Sequence, residues 1–403
     1  MSDLSPSKDY IEYGTPAFKA ILLSLFLAGF SIFSSLYCVQ PMMPVLANFF
    51  HLSATQSSLA LSFSTVALAL GLIFTGVISD RFGRKPIMVV SLFSVSLFSM
   101  LSILFPIWEV YLALRIMIGL LVSGVAAVAM TYIGEEVAEK DIGFAMGLYI
   151  SGTAIGGMGG RLIAGVLVDF ISWENTILII ALINLCIAFL FYYLLPNSRH
   201  FQAYSFNFSR FKTSFRQNLS DSKLRILFLQ GFVLMGCFVS IFNYLSYRLL
   251  SEPFQLSHLW IGLLSIAYLA GIYSSPQAAR WSRKIGRIGI LAVMIISMLV
   301  GILLMYFDHL LMIFIGLLVF TFAFFAAHST ASSWVAILSL QYRAVGSSLY
   351  LFCYYLGSSI LGSGSGLIWE RFGWDGLSIF LSVVLCIGLW TVYILQTQLS
   401  ASD

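Results

Sequence analysis

Gly76-Val-Ile-Ser-Asp80-Arg81-Phe82-Gly83-Arg84-Lys85 puts one acid and three bases in a turn between two runs, residues 56–79 and 86–107, that are almost free of charge. At 1.5 Å per residue, each run is long enough to cross a hydrocarbon layer of ~30 Å. Bases gather on the cytoplasmic side of membrane proteins, which accounts for Arg81, Arg84 and Lys85. That rule leaves Asp80, Gly76 and Gly83 unexplained at these spacings, so the turn reads as more than a topology anchor.

The rest of the chain has the same character. Of its 403 residues, 60% are hydrophobic and 9% charged, whereas about a quarter are charged in soluble domains. This composition describes an integral membrane protein whose backbone polar groups must pair within helices. Hydrophobic runs recur near 18–40, 56–79, 86–107, 109–132, 143–168, 175–195, 225–249, 258–278, 287–307, 309–335, 344–368 and 375–396. The expected fold is all-α, with twelve transmembrane helices. Of the 21 Lys and Arg residues, all but Arg115, Arg161, Arg248 and Arg371 fall on the side of the Gly76–Lys85 turn, which predicts both termini in the cytoplasm. The net charge of +4 thus reflects topology and not a nucleic-acid partner. The cysteines, Cys38, Cys186, Cys237, Cys353 and Cys386, all sit inside expected helices without metal-ligand spacing and read as apolar fillers.

The only long polar stretch, residues 197–224, is basic with interleaved aromatics (Phe201, Tyr204, Phe206, Phe208, Phe211, Phe215). It predicts an amphipathic linker on the anionic inner leaflet. The expected division is a polar tail at 1–17 before an uncleaved first helix, a six-helix bundle at 18–196, the linker, a second bundle at 225–397 and a tail at 398–403. The halves echo one another: Leu148-Tyr149, Gly156, Gly165 and Trp173 return as Leu349-Tyr350, Gly357, Gly366 and Trp374, and Gly83-Arg84 returns as Gly286-Arg287. Such duplication builds transporters with a site between the halves near mid-membrane. The second copy has Arg283 in place of Asp80 and Ala279 in place of Gly76.

The opening stretch resembles the loop between the second and third helices of the major facilitator superfamily, Gly-x-x-x-Asp-Arg-x-Gly-Arg-Lys. The resemblance implies that Asp80 lies near the start of the eleventh helix, around Arg343–Ser348, and that Arg84 pairs with Glu135 or Glu136, as a latch broken when the halves rock. The fifth run reads Gly143-(x8)-Gly152-(x3)-Gly156-Gly157-Met158-Gly159-Gly160-Arg161. This resembles the fifth-helix motif of drug/proton antiporters, Gly-(x8)-Gly-(x3)-Gly-Pro-(x2)-Gly-Gly. Gly157 stands where that motif has proline, and Arg161 where it has its last glycine. The plainer reading is close helix packing, which glycines four apart permit. Arg115-Ile-Met-Ile-Gly119 resembles the fourth-helix motif Arg-x-x-Gln-Gly, with Ile118 for glutamine. Segments such as Tyr37–Pro41, Phe324–Ser329 and Tyr354–Ser358 extend the likeness to bacterial inner-membrane proteins of the twelve-helix efflux branch.

Arg115 and Arg161 both fall ~10 Å below the face opposite the turn, counted at 1.5 Å per residue. Charges at depth are costly unless paired, and so are functional candidates. The alternative is pairing with Glu109 or Asp169, with carbonyls, or with water. No carboxylate lies deep in any run, so a coupled proton would be carried by His328, a boundary acid such as Glu109 or Asp169, Asp80, or the substrate. A lone helical histidine is otherwise a hydrogen-bonded packing residue. Mixed polar and aromatic faces offer further contacts: Tyr37 and Gln40 with Phe33, Asn243 and Tyr247 with Ser240, and Tyr350 and Tyr354 with Ser347. Near helix ends, tyrosines also serve as interfacial anchors.

The expected activity is secondary transport in a bacterial inner membrane by alternating access, with proton-coupled efflux of drugs or small metabolites. The alternative is an organic-anion carrier using Arg115 and Arg161. An enzyme would need clustered catalytic groups and a channel a charged or carbonyl ring; the runs offer neither. No Gly-x4-Gly-Lys-Ser/Thr loop is present. The expected partners are a small-molecule substrate, the lipid bilayer and a coupling proton, with no cofactor, metal, nucleic acid or second subunit.

Overall fold

The computed structural model describes residues 10–203, 208–339 and 343–400. Tyr204 and Phe206 of the linker, with the side chains of Phe208 and Phe211, lie outside the described residues. The described chain is helical nearly throughout: α1 (Pro16–Tyr37), α2 (Val39–Phe50), α3 (Ala54–Phe82), α4 (Arg84–Leu101), α5 (Trp108–Ala126), α6 (Ala129–Glu136), α7 (Ile142–Leu167), α8 (Trp173–Leu194), α9 (Phe208–Ser220), α10 (Ser222–Leu250), α11 (His258–Leu263), α12 (Tyr268–Tyr306), α13 (Leu310–Leu338) and α14 (Arg343–Ser400). The 3₁₀ turn Leu264–Ala267 joins α11 to α12.

Local chemistry sets the helix starts. Thr15 accepts the Phe18 N–H ahead of Pro16, Ser53 and Gln56 form a capping box, and Asp221 accepts the N–H groups of Lys223 and Leu224. Each cap satisfies donors that the first turn leaves unpaired. Among the described residues, ten continuous helical stretches are long and apolar enough to cross a membrane. Two of them contain a glycine with non-helical backbone, Gly286 (φ 75°) and Gly373 (φ 61°), and these breaks divide the ten into twelve crossings.

Several boundaries depart from the hydrophobic runs. The first crossing continues past residue 40 to Phe50, with an interruption at Cys38. Pro41 follows three residues later; it has no N–H, so a carbonyl in the preceding turn loses its helical partner. The fourth crossing is interrupted between Ala126 and Ala129. The linker contributes α9, and Asp221 caps α10 directly after it.

The duplication is visible in the backbone. Gly83 has φ 95° and its counterpart Gly286 φ 75°, a region costly for any residue with a Cβ. A Cβ on Gly156 would strike the Phe30 backbone on α1, and one on Gly357 would strike the Phe232 backbone on α10. The same glycine thus seats the same pair of helices in both halves. Below, the end of the bundle carrying Gly76–Lys85 is the motif face, and the end carrying residues 50–54 and 167–173 is the far face.

Candidate functional site

At the motif face, Arg84 is 4% exposed and gathers the polar groups of the turn. Its Nη1 donates to Asp80 Oδ1 at 2.6 Å and to Ser79 Oγ at 2.7 Å. Its Nε and Nη2 donate to Glu135, the shortest contact being 2.6 Å. Two-pronged guanidinium–carboxylate contacts are the strong, geometrically specific kind. Glu136 turns the other way and accepts the backbone N–H groups of Arg199 (2.8 Å) and His200 (2.9 Å). Lys85 donates to the Leu195 carbonyl, and Arg81 is exposed over the Phe82 ring. The side chain of Asp80 remains 39% exposed. Of its expected neighbourhood at Arg343–Ser348, the side chains of Arg343 and Ala344 lie outside what the structure describes. Gly76, Gly143 and Gly147 each face open space.

The far face is closed. A ladder of hydroxyls joins α3 to the first crossing of α14. Ser58 donates to Ser363 (2.7 Å), Ser62 meets the same Ser363 hydroxyl (2.5 Å), and Thr65 meets Ser359 (2.7 Å). Ser359 donates back to the Ser62 carbonyl at 2.9 Å. Nearer the surface, the Thr55 N–H donates to Glu370 (2.8 Å) and Ser57 meets Tyr247 (2.6 Å). Asp169 accepts the N–H groups of His258 (3.0 Å) and Leu259 (2.7 Å). Gly165 and Gly262 touch, such that a Cβ on Gly165 would lie 2.5 Å from the Gly262 Cα. Tyr247, expected as a substrate contact, thus belongs to this closure. The sequence reading missed the ladder altogether. The available signal was the spacing of Ser58, Ser62 and Thr65 along one helix face, matched by Ser359 and Ser363 on another.

Between the faces, the two interior arginines separate. Arg115 donates to three backbone carbonyls, Ala60 (3.1 Å), Ser35 (3.0 Å) and Leu36 (2.7 Å). The last two lie in the turn just before the Cys38 interruption, so Arg115 pins that joint to α3. Neither Glu109 nor Asp169 is among these partners. Arg161 instead lies beside Gln40, whose Oε1 accepts from Nε at 2.5 Å, while Nη1 donates to the Gly157 carbonyl at 2.7 Å. Its guanidinium carbon is 4.1 Å from the Tyr37 ring centre, 4.9 Å from Tyr268 and 5.5 Å from Phe242. Gln40 then donates to Asn243 Oδ1 (2.6 Å), and Asn243 to the Gly362 carbonyl (3.1 Å). This buried chain of amides ties the first half to the second.

An aromatic wall continues from Tyr268 through Phe325 and Phe324 to His328. His328 Nδ1 lies 3.0 Å from the Tyr350 hydroxyl, and its ring is 4.5 Å from Tyr354. The structure therefore brings Tyr37, Gln40, Arg161 and Asn243 together, and His328, Tyr350 and Tyr354 into an adjoining group. The glycines of α7 divide as well. A Cβ on Gly152, Gly156 or Gly160 would enter the backbone of Phe26, Phe30 or Ser34 on α1, whereas Gly143 has no neighbour. Among the described residues, no group of three metal-ligating side chains forms.

Two six-helix halves, sealed at one face around a buried polar centre, define a multi-pass membrane transporter. The chain belongs to the Major Facilitator Superfamily, whose family profile matches residues 25–362. The inner membrane transport protein YnfM of Escherichia coli K12 is 45% identical over 386 residues, covering 96% of this chain and 93% of that protein. An uncharacterized transporter of Buchnera aphidicola from Schizaphis graminum is also 45% identical, over 92% of this chain and 90% of its own. The solved structure of a bacterial homolog of the human lysosomal transporter Spinster, inward-facing and occupied, superposes with a TM-score of 0.77 at 16% identity, covering 95% of this chain and 98% of that one.

Proposed function

We propose that this transporter exports small organic compounds across a bacterial inner membrane in exchange for protons, working by alternating access. The observation that carries the reading is the unequal closure. Polar contacts join the halves from the far face down to Thr65 and Ser359, whereas the bonds of Arg84 and Lys85 at the motif face stay within the first half. That is one of the two arrangements an alternating carrier requires. The substrate sits between the halves, against Tyr37, Gln40, Arg161 and Asn243, with His328, Tyr350 and Tyr354 on the adjoining wall. The motif face is cytoplasmic, as the distribution of Lys and Arg supports. A reporter fused after residue 210 that proved periplasmic would reverse this orientation.

In this reading the Asp80–Arg84–Glu135 relay holds the turn ready to latch the halves when the motif face closes. Latch contacts of ~1–2 kcal/mol suffice to bias such an equilibrium severalfold. The outward direction and the proton rest on the likeness to the efflux branch, and the YnfM relative supports the membrane assignment. The test is purified protein in liposomes with an imposed pH gradient and a compound library. At least one compound should move against its own gradient, and collapse of the proton gradient should stop it. Movement indifferent to the proton gradient excludes coupling, and movement only with the proton excludes exchange.

A further inference from the structure

Four arginines are buried among the described residues: Arg84, Arg115, Arg161 and Arg248. Arg84 has two carboxylates. Arg248 has Asp308 at 2.7 Å together with backbone carbonyls. Arg115 spends Nε, Nη1 and Nη2 on three carbonyls. Arg161 differs from all of them. It is 2% exposed, one nitrogen meets a neutral amide and one a carbonyl, and Nη2 has no hydrogen-bond partner. A guanidinium stays charged at any working pH. The surrounding ring faces return only part of what burying that charge costs.

Two departures from the antiporter motif meet at this point. Gly157 stands where the motif has proline and Arg161 where it has glycine, and Arg161 Nη1 donates to the Gly157 carbonyl. A Cβ on Gly157 would come 3.4 Å from that Nη1 and 3.6 Å from the Tyr37 ring. Gly157 thus packs directly beside the guanidinium where it lies on Tyr37. Phe33 stacks near-parallel to Tyr37 at 6.1 Å, 19°, and Tyr268 opens the aromatic wall leading to His328 and Tyr354.

We propose that Arg161 is the recognition point for the anionic group of the transported compound, a carboxylate carried on a flat aromatic body. This rests on the reading that the space between the halves is the transport path. A carboxylate matches the planar fork of the guanidinium, and the rings of Tyr37 and Tyr268 give the body stacking surfaces. A cationic group would meet an uncompensated like charge. Gln40 holds Arg161 in the closed arrangement through its bond to Asn243 of the other half. A ligand entering from the motif face displaces Gln40 from the fork, with the Tyr37 and Tyr268 rings still beside the guanidinium.

The test uses the full chain, purified in detergent at pH 7.5, with binding read by calorimetry or thermal stabilisation. The probes are benzoate, 4-hydroxybenzoate and indole-3-acetate, each beside its primary amide and the corresponding amine. The acids should bind about tenfold more tightly than the amides or better, the value of a charge-assisted contact. Arg161→Gln should erase that preference, and Arg161→Lys should keep part of it. Arg115→Gln should leave it intact. Amides binding as tightly as acids, a preference that survives Arg161→Gln, or no detectable binding of any acid each overturn the proposal. If Arg161→Gln does not fold, the comparison of acid with amide in the parent decides alone. Liposomes that move neutral or cationic compounds but no carboxylate would overturn this inference while leaving the transport reading standing.

Discussion

Arg115 and Arg161 are alike in every respect the sequence displays. Each is a base in an apolar run, at similar depth, with no acid deep in the runs. Their partners distinguish them, and partners on other helices leave no mark in local spacing. Arg115 holds the carbonyls of Ser35, Leu36 and Ala60. Its loss would remove three buried charge-assisted hydrogen bonds, at about 1 kcal/mol each. Arg115→Gln is therefore expected to lower stability by about 2–3 kcal/mol, measured by chemical unfolding in detergent micelles. Arg161→Gln, which frees one carbonyl and one amide oxygen, should cost less. Parental stability in Arg115→Gln together with lost transport would show that the arginine acts on substrate or proton instead.

Helices show the same mixture of legible and hidden features. The Gly76–Lys85 turn, the return of Gly83 as Gly286 and of Gly156 as Gly357, and the twelve crossings were all readable, because they depend on local backbone demands and on hydrophobic length. The hydroxyl ladder was not, because Ser58, Ser62 and Thr65 look like ordinary small residues until Ser359 and Ser363, three hundred positions away in the chain, are set against them. The glycine motif of α7 was legible as a pattern but misleading as a unit. Gly152, Gly156 and Gly160 seat α1, whereas a Cβ on Gly143 would meet nothing within 4 Å. Gly156→Leu should destabilise the protein by about 1–3 kcal/mol or more through overpacking, whereas Gly143→Ala should be neutral or up to about 1 kcal/mol stabilising through helix propensity. Melting temperatures of the two variants decide this, and equal losses at both positions would mean that Gly143 has a contact in another state.

At the scale of the whole molecule, closure belongs to one face at a time, and the contact between the Ser58 and Ser363 hydroxyls, 2.7 Å apart, gives a direct handle on it. Ser58→Cys with Ser363→Cys, oxidised, should hold the far face shut and stop transport in liposomes, and a reductant should restore it. Full activity in the cross-linked protein would show that these helices need not separate. The material of this seal has an electrical consequence. A membrane potential does work only on charge, and the rungs between Ser57 and Thr65 carry none. At ~0.6 kcal/mol for a hydrogen bond between membrane helices, the whole ladder resists opening by only a few kcal/mol. One elementary charge crossing 100 mV supplies ~2.3 kcal/mol, which is of the same order. Voltage therefore does no direct work on these hydroxyl rungs, and acts on the closure only through Asp169 and Glu370 at its rim or through a charge moving elsewhere in the protein.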